Sequence, residues 1–255
     1  MPHDYLAPLA QHGGEKLTVY LYDQFGVGRS DQPAPGDFDR YTVEHYRGEV
    51  EGVRQAIDPE GDFYLYGQSW GGMLAQEYVI EYGDFVDKLV LANSLADTVT
   101  AYESMRSVLD DLPAEDREII EAYEAERAYD DPTYEAALDG AYREHVCRTD
   151  EYPGAVLDTF EDVNLDCYGL MWGPNEYVLL ETARLRDWDV RDRLNEVEAE
   201  TLVLTGSYDE ISPDIAQDIA DRIPEAELHE FEASSHMPFW EQPDAHAEVL
   251  ETFLA

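Results

Sequence analysis

The chain has 255 residues, of which 44% are apolar and 12% aromatic, so it can bury the core of one large domain, with or without an insertion. Acidic residues number 58 against 16 basic ones, which gives a formal net charge of -42. A surface of this charge repels the phosphates of nucleic acids and of anionic lipids, so we discount both nucleic acid and membrane as partners.

The acidic residues are spread along the whole chain and are not gathered in a tail. Self-repulsion of this size destabilises a compact state at low salt, but in 1 M salt the screening length falls to about 3 Å and most of that cost disappears. The charge therefore predicts a cytoplasmic protein of an extreme halophile. The alternative is an acidic protein with a cation-rich partner.

Neither the cysteines nor the first residues indicate export. Cys147 and Cys167 are too few for a disulfide framework or a metal set, and we expect free thiols. The segment MPHDYLAPLAQHGG has no basic region followed by an apolar one, so it does not resemble a signal peptide. No apolar run approaches the ~18 residues of a membrane span.

In the first third of the chain, apolar runs typical of strands alternate with helical patterns. Strands are predicted at 17–24, 62–69 and 87–94. Helices are predicted at 43–57, where apolar residues recur on one face, and at 71–83. This alternation predicts a mostly parallel sheet in an α/β fold.

The alternation stops near residue 96 and returns near 187. Residues 96–186 are acidic and helical in pattern, which predicts a helical cap inserted between an N-terminal part of the core, 1–95, and a C-terminal part, 187–255. The elements predicted after the cap are a strand with its loop, a helix, a second strand with its loop and a closing helix, at 200–212, 213–223, 226–236 and 243–255.

The residues GQSWGG at 67–72 contain the pattern Gly-x-Ser-x-Gly. In this motif the glycines permit a sharp turn from a strand into a helix, which exposes the serine as a nucleophile. The context fits, because the apolar run FYLY precedes the motif and a helical pattern follows it. Ser69 is therefore the predicted nucleophile, and the alternative is a glycine turn with an incidental serine.

A serine hydroxyl needs a base and an acid that orients the base, and in this fold they follow in the order Ser, Asp, His. Asp209 and His236 each come directly after a late predicted strand, so both are expected at the sheet edge where Ser69 lies. His236 would accept the serine proton and Asp209 would hold the imidazole, with Glu210 as the alternative acid. Five other histidines are interpreted as surface residues of helices or loops: His3, His12, His45, His145 and His246.

Six segments resemble, in order, the proline iminopeptidase (prolyl aminopeptidase) family of α/β-hydrolases, close to the archaeal tricorn-interacting aminopeptidases. They are HDYL (3–6), YDQFGVGRS (22–30), GQSWGG (67–72), GPNEY (173–177), TGSYDEISP (205–213) and SSHMPFWEQP (234–243). The resemblance implies an α/β-hydrolase core with a helical cap and no metal or cofactor. It also implies an enzyme that removes an N-terminal residue, preferentially proline, from short peptides through an acyl-enzyme.

The resemblance further implies how the substrate is held. In the family two glutamates bind the free N-terminal amine, and they correspond here to Glu176 and Glu210. One carboxylate 4 Å from a cation is worth about 4 kcal/mol at an effective dielectric constant near 20. The alternative is that both belong to the acidic surface. Trp70, Trp172 and Tyr177 are candidates for an apolar pocket that fits a pyrrolidine ring, or they simply pack the cap.

The backbone N–H of Trp70, the residue after the nucleophile, is one predicted donor to the oxyanion, and a second normally comes from a loop after an earlier strand. In the family that loop is a His-Gly-Gly-Pro-Gly segment directly before residues that resemble MPHDYL. Here Met1 stands in its place, and QHGG at 11–14 is interpreted as a helix end and turn.

We therefore expect that two leading strands, the third strand and the oxyanion loop are missing from the N-terminus as written. Met1 would then be an internal residue of a longer protein. The alternatives are a decaying gene and a shortened, non-catalytic protein.

Two other functions remain open from the residues alone. An amino-acid amidase or esterase would share Ser69, Asp209 and His236, and only its substrates would distinguish it. A pseudoenzyme would bind peptides without cleaving them, although it would have no need of the intact serine, aspartate and histidine. The expected partners are short peptides or amino-acid amides, and the sequence leaves the oligomeric state open.

Overall fold

The structure, a computed structural model, describes residues 3–12, 17–61 and 63–255. In these ranges four strands form one parallel sheet whose spatial order follows the chain order, which confirms the predicted α/β fold. The strands are β1 (Phe63–Gln68), β2 (Val86–Ala92), β3 (Glu200–Gly206) and β4 (Ala226–Phe231). Parallel pairing places the carboxyl ends of all four strands at one edge of the sheet.

Helices cover the sheet and fill the long connection between β2 and β3. They are α1 (Leu9–His12), α2 (Val43–Ile57), α3 (Trp70–Tyr82), α4 (Thr98–Ser107), α5 (Ala114–Glu126), α6 (Pro132–Ala141), α7 (Gly154–Glu161), α8 (Leu165–Met171), α9 (Pro213–Arg222), α10 (Pro238–Glu241) and α11 (Pro243–Leu254). Short 3₁₀ turns lie at Asp4–Leu6, Gly83–Phe85, Val108–Asp111 and Arg191–Glu196, and a π-helical turn at Tyr142–Val146. Within the described ranges, no helix is both long and apolar enough to cross a bilayer.

Local sequence explains where several helices begin. Thr42 accepts a hydrogen bond from the backbone of His45 at the start of α2, and Asp97 caps α4 through the backbone of Thr100 in the same way. Ser212 caps α9, whose first residue is a proline. These caps satisfy backbone N–H groups that have no acceptor inside the helix.

The two central strands, β2 and β3, are buried on both faces, as is usual in parallel sheets. Leu89 and Leu91 of β2 pack in one apolar cluster, whereas Val90 and Ala92 pack in another on the opposite face. Successive side chains of a strand point to opposite faces, so the continuous apolar run of β2 serves both clusters.

The first and last parts of the helical connection lie next to each other. Asp97 and Asp189 form an isolated antiparallel bridge, and Arg191 contacts the Asp97 carboxylate at 3.2 Å. In the described chain, all regular structure from Thr98 to Met171 is helical. This arrangement is compatible with the predicted division into a core and a helical cap, which remains a prediction.

The strand predicted at 17–24 is wrong. These residues belong to no strand, and in the described ranges β1 pairs only with β2. An apolar pattern favours a strand, but a strand forms only where a neighbour offers a hydrogen-bonding ladder. Leu17, Val19 and Tyr20 accordingly remain exposed.

His246 is not the surface residue that the sequence predicted. It is fully buried, because α11 turns the face that carries His246, Leu250 and Phe253 towards the sheet. Its ring packs edge-on against the ring of Tyr66 and at a tilt against the ring of Phe231. The spacing of these three residues along α11 is that of one helix face, and it could have indicated burial.

Both cysteines are free thiols, as predicted. Cys147 is buried and Cys167 is partly buried beside the Tyr46 hydroxyl. Burial raises the pKa of each thiol, so neither has the ionised character of a reactive cysteine.

Candidate active site

Ser69 lies in a sharp turn between β1 and α3. Its φ of 54° and ψ of -121° are rare for a residue with a side chain and cost on the order of 1–3 kcal/mol. Such strain persists only where the surrounding structure imposes it, and it commonly marks functional residues. The turn has the strand–turn–helix context that the Gly-x-Ser-x-Gly motif requires.

Two glycines make this turn possible. A Cβ on Gly67 would lie 2.3 Å from the carbonyl oxygen of Gly71, and one on Gly72 would lie 2.3 Å from the Ser94 hydroxyl. Neither distance is physically tolerable, so the start of α3 can pack against the end of β1 and against Ser94 only if positions 67 and 72 lack a side chain.

Trp70 is the first residue of α3. Its backbone N–H is therefore one of the four at a helix start that have no acceptor within the helix. Its indole Nε1 donates to Gln24 Oε1 at 3.0 Å, which fixes the ring. The helix predicted to precede the glycines of QHGG is α1, and Gly13 and Gly14 lie outside the described residues.

Asp209 and His236 form a buried pair. Asp209 follows β3 and His236 follows β4, and both are 5% exposed. The distance between His236 Nδ1 and Asp209 Oδ1 is 2.8 Å. Asp209 Oδ1 also accepts the backbone N–H of Ile211 at 3.0 Å. Nδ1 is therefore held by Asp209 and not by Glu210, the alternative acid, which leaves Nε2 as the nitrogen for proton exchange.

One cavity of about 310 Å³ brings most of the predicted residues together. Ser69, His236, Glu176 and Glu210 all line it. Glu210 comes directly after Asp209, whereas Glu176 comes from the loop after α8, so the two carboxyl groups reach the cavity from distant parts of the chain.

The two glutamates differ in their hydrogen bonds. The phenol of Tyr142 donates to Glu176 Oε2, and that of Tyr168 donates to Glu176 Oε1 at 3.0 Å. Glu210 is 2% exposed, and its Oε2 has no hydrogen-bond partner among the described residues. A buried carboxyl oxygen without a hydrogen-bond donor costs free energy, so Glu210 Oε2 is available to accept a hydrogen bond from a ligand.

Sequence patterns did not single out Tyr142 and Tyr168. Tyr142 begins the π-helical turn Tyr142–Val146, and such turns are frequent at functional sites. Burial, followed by the charge of Glu176, raises the pKa of both phenols well above its usual value. Both phenols therefore stay protonated and remain donors to Glu176.

The cavity is electrostatically negative. Burial lowers the pKa of His236, but the charges of Asp209, Glu210 and Glu176 outweigh it and raise that pKa to about 9. Burial raises the pKa of Glu210; His236 opposes the increase, while Glu176 and Asp209 add to it. A cavity with these carboxyl groups favours a cation over a neutral or anionic ligand.

The rest of the cavity wall is mostly apolar. Trp70 and Trp172 line it, and the Trp172 indole donates to the carbonyl oxygen of Glu176 at 3.1 Å. Tyr177 does not line the cavity. It is fully buried, and its ring packs edge-on against that of Tyr142 at 5.5 Å. Further apolar lining residues are Met73, Leu95, Met105, Met171 and Leu185.

The chemistry that this arrangement offers is acyl transfer at a carbonyl carbon. It combines a serine on a strained turn, an oriented imidazole, a helix start and a pair of carboxyl groups beside an apolar wall. Among the residues that the structure describes, no group of three or more His, Cys, Asp or Glu side chains is placed to hold a metal ion.

Comparison with known proteins agrees with the fold. The family model described as alpha/beta hydrolase fold matches residues 2–243, which defines the class of the chain. The proline iminopeptidase of Saccharolobus solfataricus is 36% identical over 253 residues, which cover 99% of this chain and 80% of that protein.

Two solved structures resemble the chain over nearly its whole length. The crystal structure of VinJ superposes with a TM-score of 0.94 at 32% identity, covering 99% of this chain and 86% of that one. The proline iminopeptidase of Mycobacterium smegmatis superposes with a TM-score of 0.89 at 33% identity, covering 99% and 85%. The chain therefore belongs to the proline iminopeptidase family of α/β-hydrolases, and it is an enzyme of that family.

Proposed function

We propose that the chain is a serine aminopeptidase that releases the N-terminal residue, preferentially proline, from short peptides. The observation that carries this proposal is the cavity that Ser69 and His236 share with Glu176 and Glu210. The serine and the histidine suit attack on a carbonyl, and the two carboxyl groups suit a free amine beside that carbonyl. The names of the relatives support the preference for proline.

In the first step Ser69 Oγ attacks the carbonyl carbon of the first peptide bond, and His236 Nε2 takes the hydroxyl proton. Asp209 holds Nδ1–H at 2.8 Å and stabilises the imidazolium that forms. The negative charge moves to the carbonyl oxygen, which accepts a hydrogen bond from the backbone N–H of Trp70 at the start of α3.

The tetrahedral intermediate collapses when the C–N bond breaks. His236 gives its proton to the leaving amine, and the released N-terminal residue stays esterified to Ser69. A water molecule then attacks the ester carbonyl while His236 takes its proton. Collapse of the second intermediate returns that proton to Ser69 Oγ and frees the amino acid.

Recognition of the amine makes the enzyme an exopeptidase. A protonated proline nitrogen carries two N–H donors and one positive charge, which fit the carboxyl groups of Glu176 and Glu210. A peptide bound in its interior would offer neither the charge nor both donors, and it would leave the buried Glu210 oxygen unpaired. Trp70 and Trp172 provide apolar surface for the ring of the first residue.

The proposed layout places residues 1–95 and 187–255 in the core and 96–186 in a cap. Glu176 would then come from the cap and Glu210 from the core, so closure of the cap would complete the amine site. The net charge of -42 supports work in the salt-rich cytoplasm of a halophile, where screening removes most of the self-repulsion.

The test is release of a fluorophore from a prolyl amide in molar KCl, with Ser69→Ala as control. We expect turnover that requires both Ser69 and a free amine, so the N-acetylated prolyl amide should not be cleaved. A folded protein that releases no fluorophore and does not react with a fluorophosphonate would instead be a peptide-binding protein. Cleavage of amino-acid amides or esters without any cleavage of peptides would indicate an amidase or esterase.

A further inference from the structure

Two residues, Asn93 and Ser94, directly follow the central strand β2. β2 lies between β1, which leads to Ser69, and β3, which leads to Asp209. Asn93 and Ser94 therefore lie at the carboxyl edge between the nucleophile and the acid. Sequence patterns did not single out either residue.

Asn93 is 1% exposed and has a φ of 50°, in the left-handed region. Its side-chain Nδ2 donates to Asp209 Oδ2 at 2.8 Å and to the carbonyl oxygen of Ser235 at 3.1 Å. Both partners are pure acceptors, so the amide must present its nitrogen to them, and the reversed orientation would set oxygen against oxygen. The backbone N–H of Asn93 donates to the Leu204 carbonyl at 2.8 Å and anchors the residue to β3.

These contacts act on both members of the acid–base pair. Asp209 Oδ1 is occupied by His236 and by the backbone of Ile211, and Oδ2 is occupied by Asn93. The Asp209 side chain has no exposed surface, so no water could replace a missing donor at Oδ2 without rearrangement. Ser235 directly precedes His236, so the second bond of Asn93 holds the loop that carries the base.

Ser94 extends the arrangement to the nucleophile. Its hydroxyl donates to the carbonyl oxygen of Ser69 at 2.9 Å, in the space that Gly72 leaves free. Two consecutive residues after the central strand thus contact Ser69, Asp209 and the loop before His236. A structural role elsewhere in the protein would not need all three contacts.

We propose that Asn93 is a positioning residue that orients the Asp209 carboxylate and the His236 loop for proton transfer. It does not line the cavity and does not touch the substrate. This inference rests on the proposed function of Ser69, Asp209 and His236. Asparagine suits the position because it tolerates a left-handed backbone and supplies two N–H donors without a charge that would repel or neutralise the carboxylate.

The first variant is Asn93→Gly, which accepts the left-handed backbone and removes the whole side chain with its amide. Its matched control is Gln76→Leu. Gln76 is also a fully buried amide that donates two hydrogen bonds, to the carbonyls of Gly72 and Leu95, and it touches neither Asp209 nor His236. Unfolding curves of both variants measure how much stability each loses.

We expect Asn93→Gly to lower kcat by about 10- to 100-fold, the range that loss of a hydrogen bond to a charged group supports. KM should stay within about twofold, because the amine site is intact. Gln76→Leu should keep kcat within about threefold at a comparable loss of stability. If the two variants lose kcat equally, Asn93 is a packing residue and the proposal is wrong.

A second variant, Asn93→Asp, tests orientation through pH. The introduced carboxyl faces Asp209, with His236, Glu210 and Glu176 as the neighbouring titratable groups. When protonated it donates one hydrogen bond to Asp209, and when ionised it repels that carboxylate. The rate of reaction with a fluorophosphonate, relative to that of the unaltered chain, should therefore fall as pH rises. A ratio that does not change with pH would contradict the proposal.

A spectroscopic readout separates this inference from the proposed function. The proton between His236 Nδ1 and Asp209 gives a low-field NMR resonance whether or not the chain turns over. The resonance should move or broaden in Asn93→Gly and stay in place in Gln76→Leu. If it is unchanged in both, Asn93 does not position the pair. If it responds while Ser69→Ala still cleaves the prolyl amide, the proposed function fails and only the orientation of Asp209 and His236 by Asn93 stands.

Discussion

The carboxyl edge of the sheet and the N-terminal segment 3–24 are held in place by different kinds of interaction. At the sheet edge, parallel ladders on both sides of β2 and β3 set the backbone, and Asn93 joins the loops that follow. The N-terminal segment has no strand among its described residues, and Leu17, Val19 and Tyr20 are exposed. The first region is positioned by its backbone, the second by side chains.

Side-chain hydrogen bonds fasten the N-terminal segment to the rest of the molecule. The Trp70 indole donates to Gln24 Oε1 at 3.0 Å, and the Tyr5 hydroxyl donates to Gln68 Oε1 at 2.8 Å. The Trp240 indole donates to the carbonyl oxygen of Tyr5 at 2.8 Å. Gln68 immediately precedes Ser69, so the N-terminal segment contacts the serine motif. The difference teaches that strand ladders can position one part of a site while side-chain hydrogen bonds position another.

The largest expected effect comes from replacing Asp209, the acid at the carboxyl edge of the sheet. Asp209→Asn should lower kcat by about 10³- to 10⁴-fold, because an asparagine can present its N–H to His236 and impose the wrong tautomer. The measurement is kcat on the prolyl amide in molar KCl. Asp214→Asn, an exposed aspartate in the first turn of α9, is the matched control and should leave kcat unchanged. Equal activity of the two variants would exclude Asp209 as the orienting acid.

Removal of one of the two proposed amine-binding carboxyl groups should have the next largest effect. Glu210→Gln keeps the shape of a side chain that is 2% exposed and removes its ability to carry a negative charge. We expect kcat/KM for the prolyl amide to fall by about 10²-fold, because one carboxylate near a cation is worth up to about 4 kcal/mol at intermediate dielectric. Labelling by an uncharged fluorophosphonate should be nearly unaffected.

The control for this variant is Glu232→Gln, which changes an exposed glutamate in the loop after β4. If Glu210→Gln slows labelling as much as cleavage, Glu210 acts on the catalytic pair and not on the amine of the substrate. If it slows neither, the amine site lies elsewhere.

The pH dependence of labelling tests the effect of the cavity's carboxyl groups on the pKa of His236. A protonated His236 cannot accept the serine proton, and its pKa is raised to about 9, so labelling by an uncharged fluorophosphonate should rise with pH through that value. Stability has the opposite sign. A raised pKa stabilises the folded state below the usual pKa of about 6.5, and this contribution is lost as pH rises through about 9. A labelling rate that is flat above pH 7 would contradict the raised pKa.

The smallest expected effect comes from a change in the N-terminal segment 3–24. Tyr5→Phe removes the hydroxyl that donates to Gln68 and should lower the free energy of unfolding by about 1 kcal/mol. Tyr152→Phe is the control, because the Tyr152 hydroxyl is buried without a hydrogen-bond partner among the described residues. Urea unfolding in molar KCl measures both. Equal stability of the two variants would mean that the Tyr5 bond does not fasten the segment.

The sequence predicted well the bounds of two helices whose apolar residues recur on one face. The helix predicted at 43–57 is α2, Val43–Ile57, and the closing helix predicted at 243–255 is α11, Pro243–Leu254. An amphipathic helix makes its hydrogen bonds within itself, so its pattern alone determines its extent. The strand predicted at 17–24 failed because its hydrogen bonds depend on a neighbouring strand.

The same reasoning separates the residues of the candidate site. The serine motif, the order of acid and base and the resemblance to the family singled out Ser69, Asp209, His236, Glu176 and Glu210, and the structure places four of these on one cavity, with Asp209 behind His236. Asn93, Tyr142 and Tyr168 carried no such signal, because an asparagine after a strand and tyrosines in helical segments are common. Their partners lie far away in the sequence, and only folding brings them together.

The amino-acid sequence by itself determined the class of fold, the strongly negative net charge and the chemical groups available for acyl transfer. It could do so because periodicity, composition and short motifs are local properties of a chain. Only the tertiary structure decided that 17–24 would lack a ladder, that His246 would be buried, and that Asn93 would join the acid to the loop of the base. These outcomes depend on contacts between distant residues, which form when buried polar groups must find partners away from water.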